Sequence, residues 1–175
     1  PKEEDIASCK VAAIDPYFLE ETQKVAELCV KLGKPFVTID CRHDSFLHQH
    51  CAINVVSKEC TGSEQYKDKT VEEIFGLLTE TTDGLVIITR GEKEMLYGRK
   101  GQPMKKMKPF TTTVKSTLGA GDTFKAGCVY GLLKGMSDDE IVRFASACSA
   151  IAISRFPLPL NPPTMDEVEK LINAD

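Results

Sequence analysis

The chain has 175 residues, 42% of them hydrophobic and 27% charged, enough to bury one core. It has no apolar run of about eighteen residues, the length a membrane span would need. The formal net charge of −4 is spread without long like-charge blocks, which argues against a nucleic acid or an anionic membrane as the main partner and leaves a small molecule as the expected one. The opening segment Pro1-Lys2-Glu3-Glu4-Asp5 lacks the basic-then-apolar pattern of a signal peptide, so a cytoplasmic protein is expected. Seven cysteines, with no CxxC pair, read as reduced thiols rather than a disulfide framework.

In chain order, Val11–Ile14 is a short apolar strand. Asp15-Pro16 follows as an N-cap with proline in the first helical position, opening a helix that runs to Leu32 and stops at Gly33. Phe36–Ile39 reads as a second strand ending at Asp40, and after a polar segment Ile53–Val56 reads as a third. Thr70 and Glu73 form a capping box that opens a helix to about Thr79, and Leu85–Thr89 is the most strand-like run. Met95–Gly98 and the stretch near Met107–Phe110 flank a turn rich in Gly and Lys, the pattern of a hairpin at a sheet margin. Three helices follow: Ala120–Lys134 ending at Gly135, one capped by Ser137 with Glu140, and one capped by Thr164 with Glu167.

No internal repeat or linker interrupts this order, so residues 1–175 are expected to form a single α/β domain. Alternating strands and helices imply a mostly parallel sheet with helices on both faces, and a ligand site beyond the carboxyl ends of the strands. The loops after Ile39, Val56 and Thr89 are therefore the places to look.

Ser116-Thr117-Leu118-Gly119-Ala120-Gly121-Asp122-Thr123-Phe124 leads straight into a helix. The backbone N–H groups of Gly119, Ala120, Gly121 and Asp122 can converge there on an anion, with the positive end of the helix behind them. Small residues allow a phosphate to reach the backbone. Asp122 at the end of such a cradle could take the proton of an attacking hydroxyl; the alternative is a glycine-rich turn whose Asp only caps the helix. Two other clusters carry alternatives. Cys41, His43, His48, His50 and Cys51 offer zinc-ligand chemistry without a zinc-finger spacing, against a plain polar loop. Arg99, Lys100, Lys105, Lys106 and Lys108 form a basic stretch that reads as a solvated turn, since no aromatic residues interleave it to stack bases.

Thr117-Leu118-Gly119-Ala120-Gly121-Asp122-Thr123-Phe124-Lys125-Ala126-Gly127 resembles the C-terminal signature of the ribokinase-like (PfkB) carbohydrate kinases. The resemblance implies a three-layer αβα fold, with Gly119, Ala120 and Gly121 as the anion hole and Asp122 as the base. It also implies ATP and Mg²⁺ as cofactors and a sugar-like or nucleoside acceptor. Leu85–Glu94 resembles the family's nucleotide strand and loop, which makes Thr89 and Gly91 candidate ATP contacts; Glu94 stands where a second glycine is common. Asn54–Glu59 occupies the place of the family's Asn-x-x-Glu segment, which positions the magnesium and the phosphates: Ser57, in place of its Asn, is a further candidate ATP contact, and Glu59, one step out of register, is the candidate for holding magnesium through water.

Asp40 and Arg42 resemble an Asp and an Arg on the substrate side, with substrate contact or plain loop anchoring as their alternative roles. Ala145–Ala152, with Ser146, resembles the helix beside the adenine, although small residues also serve close helix packing. Lys115-Ser116 replaces the Asp that supports monovalent-cation activation in many members, which argues against potassium dependence. The family's N-terminal half, with its sugar-contact motif and lid, is not matched. The chain is thus expected to be the catalytic half of a longer protein, for which the resemblance implies a homodimer when complete, or else a short relative or an idle nucleotide-binding scaffold.

Overall fold

The computed structural model describes residues 2–174; Pro1 and Asp175, the ends of the expected 1–175 unit, lie outside the described residues. Strands β1 (Ala12–Ile14), β2 (Phe36–Ile39), β3 (Ile53–Val56), β4 (Leu85–Arg90), β5 (Lys93–Gly98) and β6 (Lys105–Met107) form one sheet in that spatial order. The first four are parallel, and β5 and β6 add as antiparallel hairpin strands at the margin. The helices are α1 (Glu3–Ser8), α2 (Leu19–Lys31), α3 (Phe46–His50), α4 (Lys58–Thr61), α5 (Val71–Glu80), α6 (Ala120–Lys134), α7 (Asp138–Ile153) and α8 (Met165–Ala174).

Every residue of β2 and β3 is buried, as expected of parallel strands covered on both faces. Side chains alternate between faces along a strand, and the core divides accordingly. Val37, Ile39, Ile53, Val55, Leu85 and Ile87 join Phe124 and Cys128 of α6 and Ile141, Val142 and Ala145 of α7. On the other face Phe36 packs with Ala26, Cys29 and Leu47, while Val56, Val86 and Ile88 pack with Ile74, Phe75 and Leu78 of α5. The result is the three-layer αβα arrangement.

Helices α6 and α7 pack with almost no space between them. A Cβ added at Gly127 would lie 2.7 Å from the Ala145 Cα, and one at Gly131 would lie 2.6 Å from the Ile141 Cγ1. The small residues of α7 therefore include one, Ala145, that close helix packing requires. The three capping boxes are formed: Glu73 Oε2 accepts from the Thr70 amide at 2.7 Å, Glu140 Oε2 from the Ser137 amide at 2.7 Å, and Glu167 Oε2 from the Thr164 amide at 2.9 Å.

The structure departs from the sequence reading in four places. The helix expected from Pro16 begins only at Leu19, after a 3₁₀ turn at Pro16–Phe18, and Asp15 does not cap it. Its carboxylate is instead bonded to the Lys125 ammonium. The polar segment between β2 and β3 contains α3, capped by the Ser45 hydroxyl, which accepts from the His48 amide at 3.2 Å. β4 turns back through Gly91-Glu92 into β5, so the chain has a second hairpin. Finally, Phe110 lies beyond β6, buried with Phe144, Ile151 and Val168 under α8. No helix among the described residues is long and apolar enough to cross a membrane.

Candidate functional site

Because β1 to β4 are parallel, Asp15, Asp40, Ser57 and the β4–β5 turn all follow carboxyl ends on one edge of the sheet. The start of α6 reaches the same edge: a Cβ added at Gly121 would sit 3.2 Å from Ile39 Cδ1, at the end of β2. Gly119 precedes the helix in the left-handed conformation, φ 78°, which glycine adopts without strain. A Cβ there would also fall 2.9 Å from Leu158 Cδ2. The Gly119 carbonyl accepts the Thr123 amide at 2.9 Å and its hydroxyl at 2.8 Å, and the Ala120 amide turns back to the Thr117 carbonyl at 3.2 Å.

Among the described residues the amides of Gly121 and Asp122 have no carbonyl partner, at the positive end of a 15-residue helix. Asp122 is exposed in the first turn. The segment is held from below, where the Ile153 carbonyl accepts the Lys115 and Ser116 amides at 2.8 and 3.2 Å. Sequence reading missed Ser149 of α7, whose hydroxyl donates to the Ala120 carbonyl at 3.1 Å. Ser146, one turn earlier on the same helix, is buried at 3% exposure and is not brought to this surface.

Asp40 sits at φ 52°, an uncommon conformation for a residue with a side chain. Its amide donates to the Val55 carbonyl at 2.8 Å. Its carboxylate accepts the Ser57 amide at 2.6 Å and the Ser57 hydroxyl at 3.1 Å. Ser57 in turn caps α4, accepting the Cys60 amide at 3.1 Å. Asp40 and Ser57 are thus joined across β2 and β3, and α4 carries Glu59, exposed in its first turn. Thr89 donates to the Val56 carbonyl at 3.4 Å, beside the tight turn at Gly91, φ 65°. Arg42 faces solvent and holds Asp44 in a two-point ion pair, Nε to Oδ1 at 3.0 Å and Nη2 to Oδ2 at 2.7 Å.

Tyr17 is exposed in the turn after β1. Its phenol is pushed above the usual range by partial burial and then by the charges of Asp40, Asp15 and Asp122, so one hydroxyl senses three carboxylates.

The histidines and cysteines between Cys41 and Cys51 have other partners. His48 is fully buried, with Nε2 on the Leu78 carbonyl at 3.0 Å and Nδ1 accepting from Asn54 Nδ2 at 2.8 Å. His43 meets the Tyr66 hydroxyl at 3.4 Å, and His50 lies against the Phe46 ring. Burial raises the Cys41 thiol to about 11 and the Cys51 thiol to about 12. Among the described residues no group of three or more His, Cys, Asp and Glu side chains could hold a metal ion. In the basic stretch, Arg99 grips Asp138 at 2.8 Å through Nε and through Nη2, and Lys105 pairs with Asp139 at 2.7 Å.

Comparison with known proteins places this geometry in context. A family model described as pfkB family carbohydrate kinase matches residues 57–164. The 5-dehydro-2-deoxygluconokinase of Bacillus subtilis is 30% identical over 123 residues, covering 70% of this chain and 35% of that protein. The chain thus spans about a third of the length of such curated relatives. The solved ribokinase of Thermotoga maritima superposes with a TM-score of 0.84 at 19% identity, covering 99% of this chain and 60% of that one. Arabidopsis thaliana ribokinase, solved with ribose and ATP, superposes with a TM-score of 0.80 at 20% identity over 97% of this chain and 58% of its own.

Proposed function

We propose, for a chain that belongs to the pfkB family of carbohydrate kinases, that it is the nucleotide-binding and catalytic part of an ATP-dependent kinase acting on a hydroxyl of a sugar-like small molecule. The observation that carries this reading is the turn at Gly119–Asp122: two unpartnered amides at a helix N-terminus beside an exposed carboxylate, at the carboxyl edge of a parallel sheet. At Gly119 and Gly121 an added Cβ would press on the Leu158 and Ile39 side chains, so the packing around the turn favours glycine at both positions.

Asp122 takes the proton of the acceptor hydroxyl on a carboxylate oxygen. The Gly121 and Asp122 amides stabilise charge on the phosphoryl oxygens. Thr89 and the Gly91 turn flank the nucleotide, and Asp40 with Ser57 fixes the segment that presents Glu59. Mg²⁺, which Glu59 would hold through water, supplies neutralisation of the phosphate charge. Substitution of Asp122 by Asn tests the reading. Binding of a non-hydrolysable ATP analogue should stay within about threefold, while phosphoryl transfer to a sugar acceptor should fall by about a thousandfold or more. Turnover retained in Asp122→Asn would remove Asp122 from the base role.

A further inference from the structure

Lys125 lies one turn beyond Asp122 on α6, where residues three apart share a face. Its side chain is 9% exposed and ion-paired with Asp15, itself 36% exposed, at the end of β1. A buried ammonium costs several kcal/mol in lost hydration even when paired, and an apolar residue of similar volume commonly packs as well or better. A lysine at this position therefore calls for an electrical reason. The carboxyl edge supplies one. Asp15 and Asp40 follow the carboxyl ends of the neighbouring parallel strands β1 and β2, and the start of α6, which carries Asp122, reaches the same edge at Ile39. Asp40 is held by the Ser57 amide and hydroxyl, and Asp122 stands exposed beside the unpartnered amides. An uncompensated Asp15 would add negative charge where an anionic polyphosphate must approach.

We propose that Lys125 is a positioning residue that neutralises Asp15 and keeps this edge receptive to a nucleotide's phosphates. The inference rests on the kinase reading above. It makes the two partners of one ion pair act in opposite directions on ligand binding, whereas a strut that only ties α6 to β1 would be weakened from either side.

The test is calorimetric titration of this chain with Mg²⁺ and the β,γ-imido analogue of ATP, at about 0.01 M and about 0.5 M salt, where screening lengths differ severalfold. Lys125→Met should weaken binding roughly three- to tenfold at low salt, and Asp15→Asn should tighten it by a similar factor. Both effects should shrink at high salt, Lys125→Arg should keep the parent affinity, and the double variant Lys125→Met with Asp15→Asn should return close to it. If both single variants weaken binding equally at either salt, the pair is only a strut and the proposal is overturned. Should Lys125→Met fail to fold, the sign of the Asp15→Asn effect decides alone: tightening supports the proposal and weakening overturns it. A parent chain that binds no analogue overturns the kinase reading and this inference with it, an outcome distinct from parent binding with the wrong sign in the variants.

Discussion

Replacing Gly127 with Ala adds a single methyl group where α6 meets α7, and the structure gives the consequence a sign. The new Cβ would lie 2.7 Å from Ala145 Cα, 3.0 Å from its Cβ and 3.4 Å from its backbone nitrogen. Carbon atoms pack at about 3.5–4.0 Å, so the helices must separate by roughly 1 Å. Two of the three blocking atoms belong to backbone, which no rotamer change can move aside. Overpacking of this kind costs about 1–3 kcal/mol. Contact with backbone at 2.7 Å belongs in the upper part of that range, about 2–3 kcal/mol; alanine's better helix propensity returns about 1 kcal/mol, leaving a net loss of about 1–2 kcal/mol.

Gly76 provides the control. It lies inside α5 with no atom within 4 Å of an added Cβ, so Gly76→Ala should gain up to about 1 kcal/mol from propensity alone. In thermal unfolding each kcal/mol corresponds to about 2–4 °C at this chain length, and the two variants should move in opposite directions. Because Ser149 of α7 holds the Ala120 carbonyl, Gly127→Ala should also weaken binding of the ATP analogue. A Gly127→Ala chain as stable as the parent, or more stable, would refute the packing argument.

Burial lowers the His48 pKa, so the fold holds this ring neutral while the unfolded chain protonates it below about 6.5. Stability from His48 is full above that pH and lost as pH falls below it, with a slope of at most about 1.4 kcal/mol per unit; urea midpoints from pH 7.5 to 5 should show this in the parent and not in His48→Gln. Glu73, Glu140 and Glu167, whose pKa values are lowered, contribute stability that is lost only in the more acidic range below about 4.5. Asp40→Ala should cost about 2–3 kcal/mol, from two lost hydrogen bonds and a left-handed backbone that alanine resists. Asp40→Gly, which relieves that strain, should cost about 1 kcal/mol less in the same denaturation assay. Arg99→Ala breaks a two-point ion pair whose side chains are 30% and 27% exposed and should cost about 1 kcal/mol, whereas Lys105→Ala, at an exposed pair, should change the midpoint by less than about 0.5 kcal/mol.

The parts of the fold legible in the sequence are those written over a few neighbouring residues. The buried runs Phe36–Ile39, Ile53–Val56 and Leu85–Ile88 are all apolar or nearly so. The three Ser/Thr caps each have a Glu three residues on, and these boxes form. What local pattern could not reveal depends on contacts far apart in the chain. Asp15 looks like a helix cap until Lys125, 110 positions later, takes its carboxylate. Asp40 reads as a loop acid until Ser57 is found across the neighbouring strand. His48 falls in a stretch that resembles a loose metal cluster, and only the fold shows its ring nitrogens occupied by Leu78 and Asn54. Ser149 was visible only as one small residue of Ala145–Ala152, because a serine in a helix says nothing of the carbonyl it will meet. The turn at Gly119–Asp122 was legible as a turn because its small residues stand together at one helix start.

The central claim, that this turn binds a nucleotide's phosphates, is tested most directly by titrating the chain calorimetrically with Mg²⁺ and a non-hydrolysable ATP analogue, beside Gly119→Val. The parent should give saturable binding at one site. Gly119→Val should give none, because valine at φ 78° is strained and its Cβ would meet Leu158 at 2.9 Å. Absence of saturable heat in the parent, or equal binding by Gly119→Val, would contradict the account.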